Sequence, residues 1–206
     1  MILLVNNGTK LAPPQFRNDV GDFISPRCHR CVGTTVTWAV DNDCFSGFNE
    51  QRYVSMLRRM ADRLQARGWA GVPEFVTMPD AVGDHAETVR LWGIWHRHLA
   101  TANFNRAFVL QDGSESEGWH GIPWDYIEAL FIGGSTAFKL GTFAREMTDC
   151  ARHMGKAVHM GRVNSVMRLN YARDIGCTSC DGSAMARWSS KTLIPMLSSL
   201  RQLTLF

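Results

Sequence analysis

Short apolar runs alternate along the chain with longer stretches in which apolar side chains recur every three or four positions. The short runs are Ile2–Val5, Thr35–Val40, Glu74–Thr77, Ala107–Leu110, Ala129–Ile132, Ala157–Met160 and Thr178–Cys180. Each is brief and mostly apolar, as a strand buried on both faces of a parallel sheet should be. The longer stretches predict amphipathic helices, with apolar stripes at Tyr53, Met56, Leu57, Met60 and Leu64, then Leu91, Ile94, Trp95 and Leu99, then Leu140, Phe143, Met147, Cys150 and Met154. A last helix carries Leu193, Met196, Leu197 and Leu200. Asp84 with Glu87 reads as a capping box, and Gly68, Gly155 and Gly176 fall just past helix ends. Strands alternating with helices predict α/β architecture, and polar residues recurring directly after the strands favour a compact (β/α)8 TIM-like barrel over an open sheet. The eighth strand is the weak one: Met185–Trp188 is the segment left to supply it, and 206 residues lies near the lower size of that fold.

The residues just after the strands carry the candidate chemistry. They are Asp41 and Asn42 after the second, Asp80 after the third, Gln111 and Asp112 after the fourth, Gly133 and Gly134 after the fifth, Met160 to Arg162 after the sixth, and Asp181 after the seventh. A barrel brings all of them to one rim. Any single aspartate there reads equally well as a helix cap or turn former. Together they describe a polar pocket for a small planar ligand, and paired carboxylates at one rim fit glycosyl chemistry.

Composition narrows the class. With 45% hydrophobic and 20% charged residues and no linker-like stretch, residues 1–206 are expected to form one domain with a full core. A net charge of +3 is below the footprint of a dedicated nucleic-acid-binding domain, yet it permits one basic face. Met1–Val5 has no basic leader and no apolar run reaches the ~18 residues of a membrane span, so a cytoplasmic protein without membrane partners is expected. Its six cysteines then read as reduced thiols. Cys28/Cys31 and Cys177/Cys180 have zinc-like spacing, but alternate facing along a strand separates the second pair, and His96 and His98 stand two apart on a helix. No metal is expected. His159 at a strand end reads as a barrel histidine or a substrate contact.

Five ordered segments carry a resemblance: Ala39-Val40-Asp41-Asn42-Asp43-Cys44-Phe45, Val109-Leu110-Gln111-Asp112-Gly113, Phe131-Ile132-Gly133-Gly134-Ser135, His159-Met160-Gly161-Arg162-Val163-Asn164-Ser165 and Cys180-Asp181-Gly182. In order and spacing, over roughly residues 35–185, the chain resembles the tRNA-guanine transglycosylase superfamily, and most of all its small phage-type branch of DNA-guanine transglycosylases. The resemblance implies a (β/α)8 barrel that exchanges guanine in DNA for a 7-deazaguanine, such as 7-cyano-7-deazaguanine, without cutting the backbone. It implies no cofactor, DNA with guanine and the deazaguanine base as partners, and the host-cell cytoplasm if the chain is phage-encoded.

By motif position, the resemblance makes Asp181 the nucleophile on C1′ and Asp41 the general acid/base. It places Asp80 and Gln111 on the edge of the base, Asn42 as a further base contact where the tRNA enzymes carry serine, and Gly133 and Gly134 as a backbone-lined wall. Phe45 and Met160 match the pair that sandwiches the ring. Arg162 and Arg168 are the first choices for contact with the nucleic-acid backbone, ahead of Lys139, Arg173, Arg187 and Lys191.

Departures from the family shape the expectation further. No Cys or His follows Asp181, so the zinc subdomain with which the tRNA enzymes close has no ligands here. This favours DNA over tRNA, which stands as the alternative polymer. Asp43 replaces the usual glycine after the Asp-Asn pair, and Gly113 to Trp119 forms an acidic loop without a family counterpart. A catalytically idle nucleic-acid-binding subunit is the rival of another class. Most tryptophans, Trp38, Trp92 and Trp95 among them, are expected in the core, while Trp119, Trp124 and Trp188 fall in loops and could stack on unpaired bases.

Overall fold

The computed structural model describes residues 1–6, 8–28, 37–65, 71–101, 104–188 and 191–202. Gly68, Cys31 and the first two residues of the segment 35–40 lie outside the described residues, as does the side chain of Leu99. Eight parallel strands close into a barrel in chain order: β1 Ile2–Val5, β2 Val20–Ile24, β3 Trp38–Val40, β4 Val76–Thr77, β5 Arg106–Leu110, β6 Ala129–Ile132, β7 Ala157–Met160 and β8 Ser179–Asp181. β8 closes on β1 with Leu4 level with Asp181. The chain is therefore a (β/α)8 barrel.

The described helices are α1 Gly8–Leu11, α2 Glu50–Gln65, α3 His85–Trp95, α4 Thr136–Lys139, α5 Thr142–His153, α6 Val166–Asp174, α7 Ser183–Arg187 and α8 Leu193–Gln202. After β5 the connection consists of three short 3-10 turns, at Ser114–Ser116, Gly118–Gly121 and Trp124–Tyr126.

Alternation along each strand divides the apolar residues between two cores. Leu4, Ala39, Phe75, Ala107 and Ala129 fill the barrel together with Ile2, Phe23, Phe131 and Ala157. Their neighbours one position along, such as Leu3, Trp38, Val40, Leu130 and Val158, pack under the helices. Two phenylalanine rings, Phe75 and Phe131, meet edge to face inside the barrel with centroids 6.4 Å apart. The small Ala39, Ala107 and Ala129 leave room for them.

Three expectations are corrected. Met185–Trp188 is no strand: Ser183–Arg187 is helical, with Met185 fully buried beneath it. The missing strand is Val20–Ile24, whose polar Asp22 and Gly21 break the apolar run. Both have structural grounds, because Asp22 is buried and a Cβ at Gly21 would lie 2.7 Å from the Thr37 carbonyl oxygen. On α3 the buried face carries His85, Thr88, Trp92 and Trp95, so Ile94 faces out, half exposed. Asp84 caps that helix by accepting from Glu87 N, but the Glu87 carboxylate pairs with Arg90 and does not return to close the box. Trp38, Trp92 and Trp95 are buried; of the loop tryptophans, Trp124 is buried too, while Trp119 and Trp188 are exposed.

Candidate active site

At the C-terminal mouth of the barrel lies an open cavity of about 520 Å³. Asp41, Asn42, Phe45, Asp80, Gln111, Gly133, Gly134, Arg162 and Asp181 all line it, so residues drawn from six strand ends meet where the sequence places them. Its depth comes from glycines. A Cβ at Gly133 would lie 2.7 Å from Val109 Cγ1, one at Gly161 would lie 2.6 Å from the Phe131 ring, and Gly134 adopts φ +73° beside Asp112.

Asp41 continues β3 inward, its backbone N–H bonded to the Ile24 carbonyl at 2.7 Å. Its carboxyl accepts from Asn42 N at 2.8 Å. Burial, with Asp181 and Asp43 nearby, pushes its pKa from 3.8 up to about 7. A carboxyl with that value both gives and takes a proton near neutral pH. Asp43 takes the left-handed conformation at φ 62°. Aspartate tolerates this region better than most residues, so the turn into the 3-10 segment Cys44–Ser46 is kept.

Asp181 ends β8 and is held through one oxygen. Oδ1 accepts from Arg162 N at 3.1 Å and lies 3.1 Å from His159 Nε2, while His159 Nδ1 lies 2.9 Å from Ser179 Oγ. Oδ2 accepts no hydrogen bond among the described residues. His159 is fully buried against Phe23, Phe75 and Phe131, so of the two readings open from the sequence the structure supports a barrel histidine that orients Asp181.

Asp80, Asn42 and Gln111 form one network. Asp80 accepts from Asn42 Nδ2 at 2.7 Å and from Gln111 Nε2 at 2.6 Å. Asn42 Nδ2 also donates to the Met78 carbonyl, and its Oδ1 accepts from Cys44 N, so both amide hydrogens are spent on the protein. Asn42 therefore holds Asp80 in place at the cavity wall. Burial raises the Asp80 pKa against these same hydrogen bonds. Gln111 Oε1 accepts from Gly83 N.

Met160 is the site residue the structure moves. It shares the outward parity of Val158, is fully buried in the core under the helices, and does not line the cavity; Gly161, one residue on, does. The partner over the exposed Phe45 ring is Arg162, its guanidinium carbon 4.4 Å from the ring centre. Arg162 is left-handed at φ 57°, which turns its backbone N–H to Asp181, and its side chain donates to the Gly134 carbonyl at 2.8 Å. Arg168 stands in α6, whose N-terminus Ser165 caps, near enough to influence Lys139.

Lys139 is expected only as a second choice for backbone contact, equally readable as a solvated surface charge. It is instead 3% exposed and lines the cavity, its Nζ donating to the Gly161 carbonyl at 2.8 Å. The available signal was its place at the end of the short helix that follows Gly133-Gly134. Cys177 and Cys180 are buried thiols, and burial pushes Cys177 up to about 12. Among the described residues, no three His, Cys, Asp or Glu side chains gather as metal ligands. No described helix is long and apolar enough to cross a membrane.

No protein-family model matches the chain, and no curated protein does. Among solved structures, the crystal structure of phosphoribosyl anthranilate isomerase from Thermus thermophilus is similar, with a TM-score of 0.46 and 15% identity over 98% of this chain and 100% of that one. The barrel assignment rests on the closed eight-stranded topology itself.

Proposed function

We propose that the chain is an enzyme, a DNA-guanine transglycosylase that exchanges guanine for a 7-deazaguanine through a covalent aspartyl-glycosyl intermediate. The observation that carries this reading is the pairing of Asp41 and Asp181 in one cavity, with Asp41 shifted to about 7 by burial and by Asp181 itself. Two rim carboxylates in such different surroundings suit two different jobs.

In the first half-reaction Asp181 Oδ2 attacks C1′. The C1′–N9 bond breaks, its electron pair leaves with the base, and Asp41 gives that base a proton. In the second half, Asp41 takes the N9 proton of the incoming base, N9 attacks C1′, and the ester to Asp181 breaks. Asp41 thus begins and ends protonated. The Asp80–Gln111 pair offers acceptors and a remaining amide N–H to the base edge. A base seated on Phe45 displaces the Arg162 guanidinium toward the mouth, where with Arg168 it meets backbone phosphate. A base in a duplex must first be extruded, at a few kcal/mol that such contacts offset.

The test is incubation of the protein with labelled guanine and, in separate arms, guanine-containing DNA or tRNA. Label entering DNA supports the reading. Label entering tRNA alone keeps the chemistry and changes the polymer, and binding without exchange favours the idle subunit.

A further inference from the structure

The cavity is polarised. Asp41 and Asp80 stand on one side, whereas Lys139 and Arg162 stand at the Gly134–Gly161 side, with Asp181 beside Arg162. An ammonium has three N–H donors. One goes from Lys139 to the Gly161 carbonyl, and the other two have no acceptor among the described residues. A buried cation with unspent donors, lining a ligand cavity, is an arrangement that a ligand acceptor completes.

From this geometry we infer that Lys139 reads the substituent of the incoming base, selecting a deazaguanine whose substituent is a hydrogen-bond acceptor (nitrile, carboxamide or carboxylate) over one bearing an ammonium. The inference rests on the base-exchange reading and specifies its substrate class. An acceptor substituent beside Gly161 and Lys139 takes the free donors. A cationic aminomethyl group in the same place would set two ammonium ions side by side. Burial and the nearby arginines hold the Lys139 pKa at about 8, against the pull of Asp181 and Asp112, so the side chain is still charged at neutral pH.

The experiment measures kcat/KM for cyano-, carboxamido- and aminomethyl-deazaguanine with guanine-containing DNA, using the wild-type protein, Lys139→Met and Lys139→Glu. The wild type is expected to prefer the acceptor-bearing bases over the aminomethyl base by about 100-fold, in line with the cost of facing like charges. Lys139→Glu should shrink that ratio at least about tenfold, with Lys139→Met between the two. Wild-type rates that do not discriminate, or a ratio unmoved by Lys139→Glu in a folded variant, overturn the inference while leaving base exchange standing. If no guanine is exchanged at all, the functional reading fails, and calorimetric titration of the wild type with the same free bases still decides: equal affinity for the cyano and aminomethyl bases overturns the role of Lys139. That wild-type comparison also stands if Lys139→Glu does not fold.

Discussion

The two ends of the barrel use the same strands for opposite purposes. At the floor, inward positions are Leu4, Ala39, Phe75, Ala107 and Ala129, and shape complementarity decides their identity. At the C-terminal strand ends the positions lining the barrel become Asp41, Thr77, Gln111, Gly133, Gly161 and Asp181, and a cavity opens. The floor gains stability by burying apolar surface; the mouth gives up stability by burying carboxyls and a lysine. Substitutions at the two ends should therefore move stability and activity in different directions.

The largest expected effect is at the mouth. Asp181→Asn keeps the hydrogen-bond geometry yet removes the nucleophile, so exchange of labelled guanine should fall by about 10⁴-fold or more with little change in thermal midpoint. A rate within tenfold of wild type would reassign the nucleophile. At the floor, Phe75→Ala should destabilise by about 3–5 kcal/mol in urea titration, because the aromatic cluster with Phe23, Phe131 and His159 cannot collapse into the space. Its activity loss should follow the folded fraction.

Asp41→Asn sharpens the contrast, since it should stabilise the protein while slowing both half-reactions by about 10²–10⁴-fold. The folded chain favours protonated Asp41, so the fold carries no penalty from this group below its usual 3.8 and loses stability as pH rises through about 7. The substitution should consequently stabilise at pH 8, by up to about 4 kcal/mol, and leave stability unchanged near pH 3. The wild-type rate should also show a pH limb near 7 that the variant lacks. Equal stability of the two proteins at pH 8 would remove the buried-carboxyl account.

The smallest effect is expected at His159, which sits between floor and mouth. His159→Gln keeps a donor but shortens its reach to Asp181, and should lower kcat about tenfold with KM unchanged. A rise in KM instead would make His159 a substrate contact.

Much of this architecture was legible because parallel barrel strands are short apolar runs with polar ends, and β1, β6 and β7 begin and end where the apolar runs do. Val20–Ile24 was hidden because the tight approach of Thr37 requires glycine and a buried aspartate occupies the outer face, so the strand does not read as apolar. The rim carboxylates were legible from position alone. Met160 was not, because motif order locates a residue at the rim within about one position, and one position on a strand reverses its face. Lys139 was obscured for another reason: a charge on a helix reads as solvated until its bond to the Gly161 carbonyl, a contact distant in sequence, is known.

The most direct measurement of the central claim is mass spectrometry of peptides from the protein quenched during turnover on a guanine-containing oligonucleotide. The account predicts a deoxyribose ester on the peptide containing Asp181, absent from Asp181→Asn. An ester mapped to Asp41 or Asp80, or guanine exchange that proceeds with no ester formed, would contradict it.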